Sequence, residues 1–131
     1  MEEKPARTRA DEVDIRYAQR ISGPLMDFDL NGELESLRAS DSYHMSNHAA
    51  VTLVKRSGMR VVLIAMRAGG LMEEHHAPSP ITVQVLHGRV RFEVEGGGLE
   101  MTAGRLIALD EGIPHRVVGI EEGAFVLTIG G

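Results

Sequence analysis

From about residue 49 onward, apolar residues recur in short runs that end at glycine or proline. In "RVRFEVE", Val90, Phe92 and Val94 alternate with charged residues, which predicts a strand with one buried and one solvent-facing side. "MRVVLIAMRA" is apolar on both faces and predicts a strand that is buried on both sides. The remaining runs that predict strands are "AAVTLVK", "ITVQVL", "LEMT", "RLIALD", "HRVVGI" and "AFVLTI". About eight short strands at this spacing predict an all-β sandwich or barrel.

Turn residues separate these predicted strands. His87-Gly88 predicts a short turn between "ITVQVL" and "RVRFEVE", and "RSG", "EGGG", "AG", "EGIP" and "EEG" separate the others. Gly88 and Gly104 stand at tight connections where a positive φ favours glycine.

The residues ahead of the barrel region follow another pattern. The first part shows no steady period and predicts a terminal arm. In "DLNGELESLRASD", leucines at helical spacing predict a short helix near residues 30–38, which Asp29 or Asn31 could cap. We therefore divide the chain into an arm with a short helix over residues 1–48 and a barrel over residues 49–131.

Composition fits a single globular domain of 131 residues, 43% hydrophobic and 25% charged. No run approaches the roughly 20 apolar residues that span a bilayer, and the charged N-terminus lacks a secretory signal. We therefore expect a cytoplasmic protein without membrane contact. A net charge of −5 argues against nucleic-acid binding, which needs clustered Lys and Arg. Because the chain has no cysteine, only histidine, carboxylate and amide groups remain as candidate metal ligands.

Two motifs in the barrel region resemble those of the cupin superfamily, whose members are small double-stranded β-helix (jelly-roll) barrels. The first motif has a glycine, a His-x-His pair, a glutamate and a closing glycine. Gly69, His75 and Gly88 match it, whereas Ala77 stands at the second histidine and Ile81 at the glutamate.

The second cupin motif places a glycine, a proline, another glycine and a histidine in this order. Here the corresponding residues are Gly104, Asp110, Gly112 and His115, so aspartate replaces the proline. The resemblance covers roughly residues 49–130. More narrowly, this part of the chain is similar to small single-domain RmlC-like cupins, which are mostly uncharacterised.

The resemblance implies that His75 and His115 point into the barrel from neighbouring strands and hold a divalent metal such as Fe, Mn, Ni or Zn. The alternative is that both histidines form hydrogen bonds at the mouth of a polar pocket. Ala77 and Ile81 cannot ligate, so the ligand set is incomplete and the site is expected to be weak. His76 is a third candidate ligand, but neighbouring side chains of a regular strand point to opposite faces, so it needs an irregular backbone.

An apolar pocket for a small molecule is expected inside the barrel. The residues predicted to line it are Ile81, Val83, Val85, Phe92, Val117 and Leu127. Strand alternation turns Gln84 to the opposite face, so we expect it to be exposed. His44 and His48 have the spacing of one helix face, but "SDSYHMSN" is a poor helix former and predicts a surface loop. His87, in the predicted turn, is expected to be exposed.

Three functions are compatible with these residues. The first is a metal-dependent small cupin that binds a small molecule and has an oxygenase-type or isomerase-type activity, with open metal positions for the substrate. The second is a metal-free ligand-binding or sensing module without catalysis, and the third is a structural dimer with no ligand role of its own. We rank the metal-binding cupin first, and since a fold does not determine a reaction, the others stay open. A homodimer is expected in each case, because an unpaired edge strand is otherwise a liability.

Overall fold

The structure, a computed structural model, describes residues 24–131. Two helices, α1 (Leu30–Arg38) and α2 (Asp41–Ser46), precede seven strands. The strands are β1 (His48–Arg56), β2 (Met59–Met66), β3 (Leu71–His75), β4 (Ile81–Val94), β5 (Gly97–Thr102), β6 (Leu106–Leu109) and β7 (His115–Gly130). All of the strand pairs are antiparallel, so the predicted all-β class is confirmed. Most of the predicted terminal arm lies outside the described residues, and the predicted domain boundary stays a prediction.

The helix predicted near residues 30–38 is confirmed as α1, whose Leu34 and Leu37 are buried. Asp29 is its N-cap residue, but the Asp29 side chain makes no capping hydrogen bond. The surface loop predicted around His44 is wrong, because residues 41–46 form α2. Ser40 caps this helix by accepting a hydrogen bond from the Tyr43 amide at 3.3 Å, and burial of Tyr43 adds packing energy that local propensity does not reveal.

The long strands β4 and β7 each contribute to two layers. Residues 81–85 of β4 pair with 125–129 of β7, and this layer has the order β1-β2-β7-β4-β6. Residues 89–94 of β4 pair with 115–121 of β7, and this layer has the order β3-β7-β4-β5. The two layers therefore share both long strands, which fold over at one corner and leave the opposite end of the barrel open.

Glycines form this corner. The turn predicted at His87-Gly88 is wrong, since β4 continues through a bulge in which Gly88 has a φ of 75°. A Cβ atom on Gly88 would lie 2.2 Å from the carbonyl oxygen of Glu122, so only glycine lets the two backbones approach this closely. The break predicted at "EEG" is also wrong, because β7 bends there without ending.

Two apolar clusters hold the layers and helices together. Between the layers lies the barrel core, which includes Ile64, Met66, Val90, Met101 and Phe125. The second cluster packs α1 and α2 on the outside of the larger layer and includes Leu34, Leu37, Tyr43, Leu63 and Ala65. Because β2 contributes side chains to both clusters, its predicted burial on both faces is confirmed. Among residues 24–131, no helix has the length and apolar character needed to cross a membrane.

Candidate functional site

His75 and His115 lie side by side at the open end of the barrel. His75 is the last residue of β3, and His115, the first residue of β7, is its register partner. The centroids of the two imidazole rings are 4.3 Å apart, with an interplanar angle of 62°. The sequence did not predict β3, because its residues after Leu71 are mostly polar and exposed. Pairing with β7 is what places His75 beside His115.

Both imidazoles are held by the same local hydrogen bond. Nδ1 of His75 lies 2.8 Å from the carbonyl oxygen of Glu73, and Nδ1 of His115 lies 3.0 Å from that of Ile113. A carbonyl oxygen only accepts hydrogen bonds, so each Nδ1 must carry the proton and donate it. In the neutral ring, Nε2 then keeps its lone pair. The two backbone carbonyls therefore leave both rings with Nε2 as a free acceptor or ligand atom.

His115 is the buried member of the pair, with 4% of its surface exposed. Its ring stacks on that of Phe92, at 5.3 Å between centroids and 14° between planes. Burial lowers the pKa of His115, and positive charge on His75 or His76 lowers that pKa further, whereas the hydrogen bond to Ile113 opposes the shift. His115 is therefore kept neutral at the pH where an ordinary histidine begins to protonate.

An open cleft of about 510 Å³ borders the His115 ring. The other residues that line it are Glu74, Glu93, Val94, Glu95, Pro114 and Arg116. Arg116 donates to Glu93 at 2.5 Å and Arg91 donates to it at 2.9 Å, so two guanidinium groups share one carboxylate. Glu74 and Glu95 form no ion pair with any residue from 24 to 131. Their carboxylates and Nε2 of His115 are therefore the hydrogen-bond acceptors that the cleft offers to a ligand.

No protein-family model and no protein of curated function matches the chain. Solved structures share its fold. A conserved protein of unknown function from Streptococcus pyogenes aligns over 85% of this chain and 90% of its own, at 20% identity and a TM-score of 0.67. A cupin-2 domain containing protein from Shewanella frigidimarina aligns over 79% and 94%, at 10% identity and a TM-score of 0.63.

The chain has the cupin fold. Identities this low establish the architecture, and the resemblance read from the glycine and histidine motifs is confirmed at that level. The cupin fold also occurs in a salicylate 1,2-dioxygenase from Pseudaminobacter salicylatoxidans, with a TM-score of 0.61 and 15% identity. That alignment covers 64% of this chain but only 26% of the dioxygenase, so it is a likeness between barrels.

The donor set of this cupin barrel does not fit a tightly held metal ion. Ala77 packs against the barrel core and Ile81 is 4% exposed in it, so both positions of the missing cupin ligands are apolar. His76 is exposed, and its role as a third ligand stays a prediction. Within residues 24–131, no group of three or more histidine, cysteine, aspartate or glutamate side chains is arranged to hold a metal. Catalytic zinc sites use three protein ligands, one more than the two imidazoles brought together here.

The residues predicted to line an interior pocket are all found in the barrel core. Ile81, Val83, Val85, Phe92 and Val117 are buried there, and the half-buried Leu127 packs against them. None of the six borders the cleft beside His115, although Phe92 supports the His115 ring. The pocket they were predicted to form stays a prediction.

The other predicted side chains lie away from this end of the barrel. Gln84 and His87 are exposed, as expected from strand alternation and from the glycine beside His87. His44 is exposed on α2 and His48 begins β1. The sequence did not identify Glu74, Glu95 or Arg116 as cleft residues. Only their positions could have indicated a role in the cleft. Each lies within one or two residues of a strand end, in the region that also contains a histidine.

Proposed function

We propose that this protein is a small-molecule-binding cupin whose ligand site is the cleft beside His75 and His115. The observation that carries the proposal is the hydrogen bond that the two rings have in common. Each imidazole donates from Nδ1 to the backbone carbonyl two residues earlier, and the two rings are in edge contact. Fixing both rings in one tautomer beside an open cleft prepares two acceptor atoms for one ligand.

The chemistry of the cleft favours a ligand rich in hydrogen-bond donors. Both Nε2 atoms accept, and so do the carboxylates of Glu74 and Glu95. The same carboxylates repel an anion, whereas the apolar Val94 provides a surface for carbon atoms. A neutral polyhydroxylated compound or an amine satisfies these groups. An acid does not.

Native mass spectrometry of the protein with a panel of small polyols, amines and carboxylic acids tests this proposal. We expect a one-to-one complex with a polyol or an amine for the wild-type protein. The complex should be lost in His75→Ala and kept in His87→Ala, which removes an exposed histidine on the corner of the barrel. Complexes with acids alone, or equal binding by both variants, would contradict the proposal.

A divalent metal ion is the second candidate ligand. Its support is again the pair of free Nε2 atoms, held by the kind of carbonyl hydrogen bond that orients metal-binding histidines. Two neutral ligands would hold an ion weakly, and a chelator should remove it easily. Metal analysis of protein purified without an affinity tag separates the candidates, since a stoichiometric ion lost in His115→Ala would favour metal over a direct organic ligand.

The oxygenase-type or isomerase-type activity implied by the cupin resemblance rests on this second candidate. The dioxygenase among the structural neighbours supports it at the level of the fold alone. A cytoplasmic location and a homodimer remain proposals as well.

A further inference from the structure

A second cleft, of about 590 Å³, opens at the tip of the β1–β2 hairpin. The hairpin residues 55–60 form one wall, and residues 77–79 with the end of β7 form the other. Its volume is that of a small-molecule site. It shares no lining residue with the cleft beside His115, so it is a separate feature of the open end of the barrel.

Three cationic side chains line this second cleft, and its lining contains no aspartate or glutamate. The chain as a whole has a net charge of −5, so the positive charge is a local concentration. Arg56 has a partner, which leaves Lys55 and Arg60 as the candidate binding groups. Neither of these forms an ion pair with a residue in the described part of the chain.

Lys55 and Arg60 are directly opposite each other in the β1–β2 ladder. Residues in register share one face of an antiparallel pair, with Cβ atoms about 4.5–5.5 Å apart, and like charges in this arrangement are destabilising. The two exposed side chains therefore repel each other across the hairpin, and neither forms an ion pair with residues 24–131. An anion between the two side chains would relieve this repulsion.

We propose that this second cleft binds the phosphate or carboxylate group of a small molecule. Arg60 supplies a planar guanidinium that donates hydrogen bonds to two oxygens at once, and Lys55 supplies a second positive charge from the facing strand. The hydroxyls of Ser57 and Ser79, both in the lining, add hydrogen-bond donors. This site goes beyond the function proposed above, because its ligand chemistry is opposite to that of the acceptor-rich cleft beside His115.

Titration of ¹⁵N-labelled protein with inorganic phosphate, and separately with succinate, tests the site at constant ionic strength set with sodium chloride. We expect saturable amide shifts in residues 55–60 and 77–79. Arg60→Gln should weaken the apparent Kd about tenfold, the effect of losing one charge-assisted contact. Arg105→Gln is the matched control, since Arg105 is also exposed and forms no ion pair with residues 24–131.

The two probes also identify the anion. Saturation by phosphate alone assigns a phosphate group, and saturation by succinate alone assigns a carboxylate. His115→Ala should leave either titration unchanged, which separates this proposal from the one for the histidine cleft. Linear, non-saturating shifts with both probes, or equal weakening by Arg60→Gln and Arg105→Gln, would overturn the proposal.

Discussion

Replacing His115 by alanine should cost the fold far more than replacing His75, although the two rings are in edge contact. His115→Ala removes a buried hydrogen bond to Ile113, which contributes about 1 kcal/mol. It also removes the stacked contact with Phe92, which contributes about 1 kcal/mol beyond area burial. The sum is about 2 kcal/mol, before any cost of the space left behind.

His75→Ala loses a hydrogen bond of similar length, but His75 is exposed and water replaces that bond. We expect a loss of about 0.5 kcal/mol or less. The edge contact between the two rings is lost in both variants and cancels in the comparison. Urea unfolding at about pH 7.5 measures the difference through the midpoint at constant m value. Equal losses in the two variants would refute the inward, stacked position of His115.

Three further predictions follow from the described contacts. The free energy of unfolding should fall as the pH is lowered from about 7.5 to about 5.5, because burial lowers the folded-state pKa of His115 and the unfolded chain then binds more protons. His115→Ala should reduce this dependence on pH, and an unchanged dependence would assign it to other groups. In thermal unfolding, Gly88→Ala should lower stability by at least about 2 kcal/mol, since its Cβ would meet the Glu122 carbonyl at 2.2 Å, whereas Gly104→Ala should cost about half as much, because Gly104 has a positive φ but open space around it. Equal costs would contradict the close approach at the corner. Light scattering should give a dimer mass at micromolar concentration, and a monomer mass would exclude the predicted homodimer.

The barrel was predictable because its signals are local. Alternation in "RVRFEVE" and the two-sided apolar pattern of β2 depend only on neighbouring residues, and glycines mark the points where φ must be positive. At His87-Gly88, local signals were not enough to distinguish a turn from a bulge. A glycine with positive φ forms either a turn or a bulge, and the approach of Gly123 on β7 decides between them here.

The motif positions identified the histidine pair, but they did not predict the tautomer of either ring. Which ring nitrogen carries the proton depends on the carbonyl groups of Glu73 and Ile113, whose directions follow from the backbone. The basic cleft was missed for a related reason. The sequence shows Lys55 and Arg60 on either side of "RSG", and the exact register of the hairpin is what sets the two charges opposite each other.

The central claim is that His75 and His115 present two unprotonated Nε2 atoms to one site. Long-range ¹H–¹⁵N correlation spectra of the imidazole rings at about pH 7.5 measure the tautomer of each histidine directly. We predict that both rings carry the proton on Nδ1, and that both Nε2 resonances shift together when a ligand of the cleft is added. A proton on Nε2 of either ring, or a ligand that shifts one ring and leaves the other unchanged, would contradict the account.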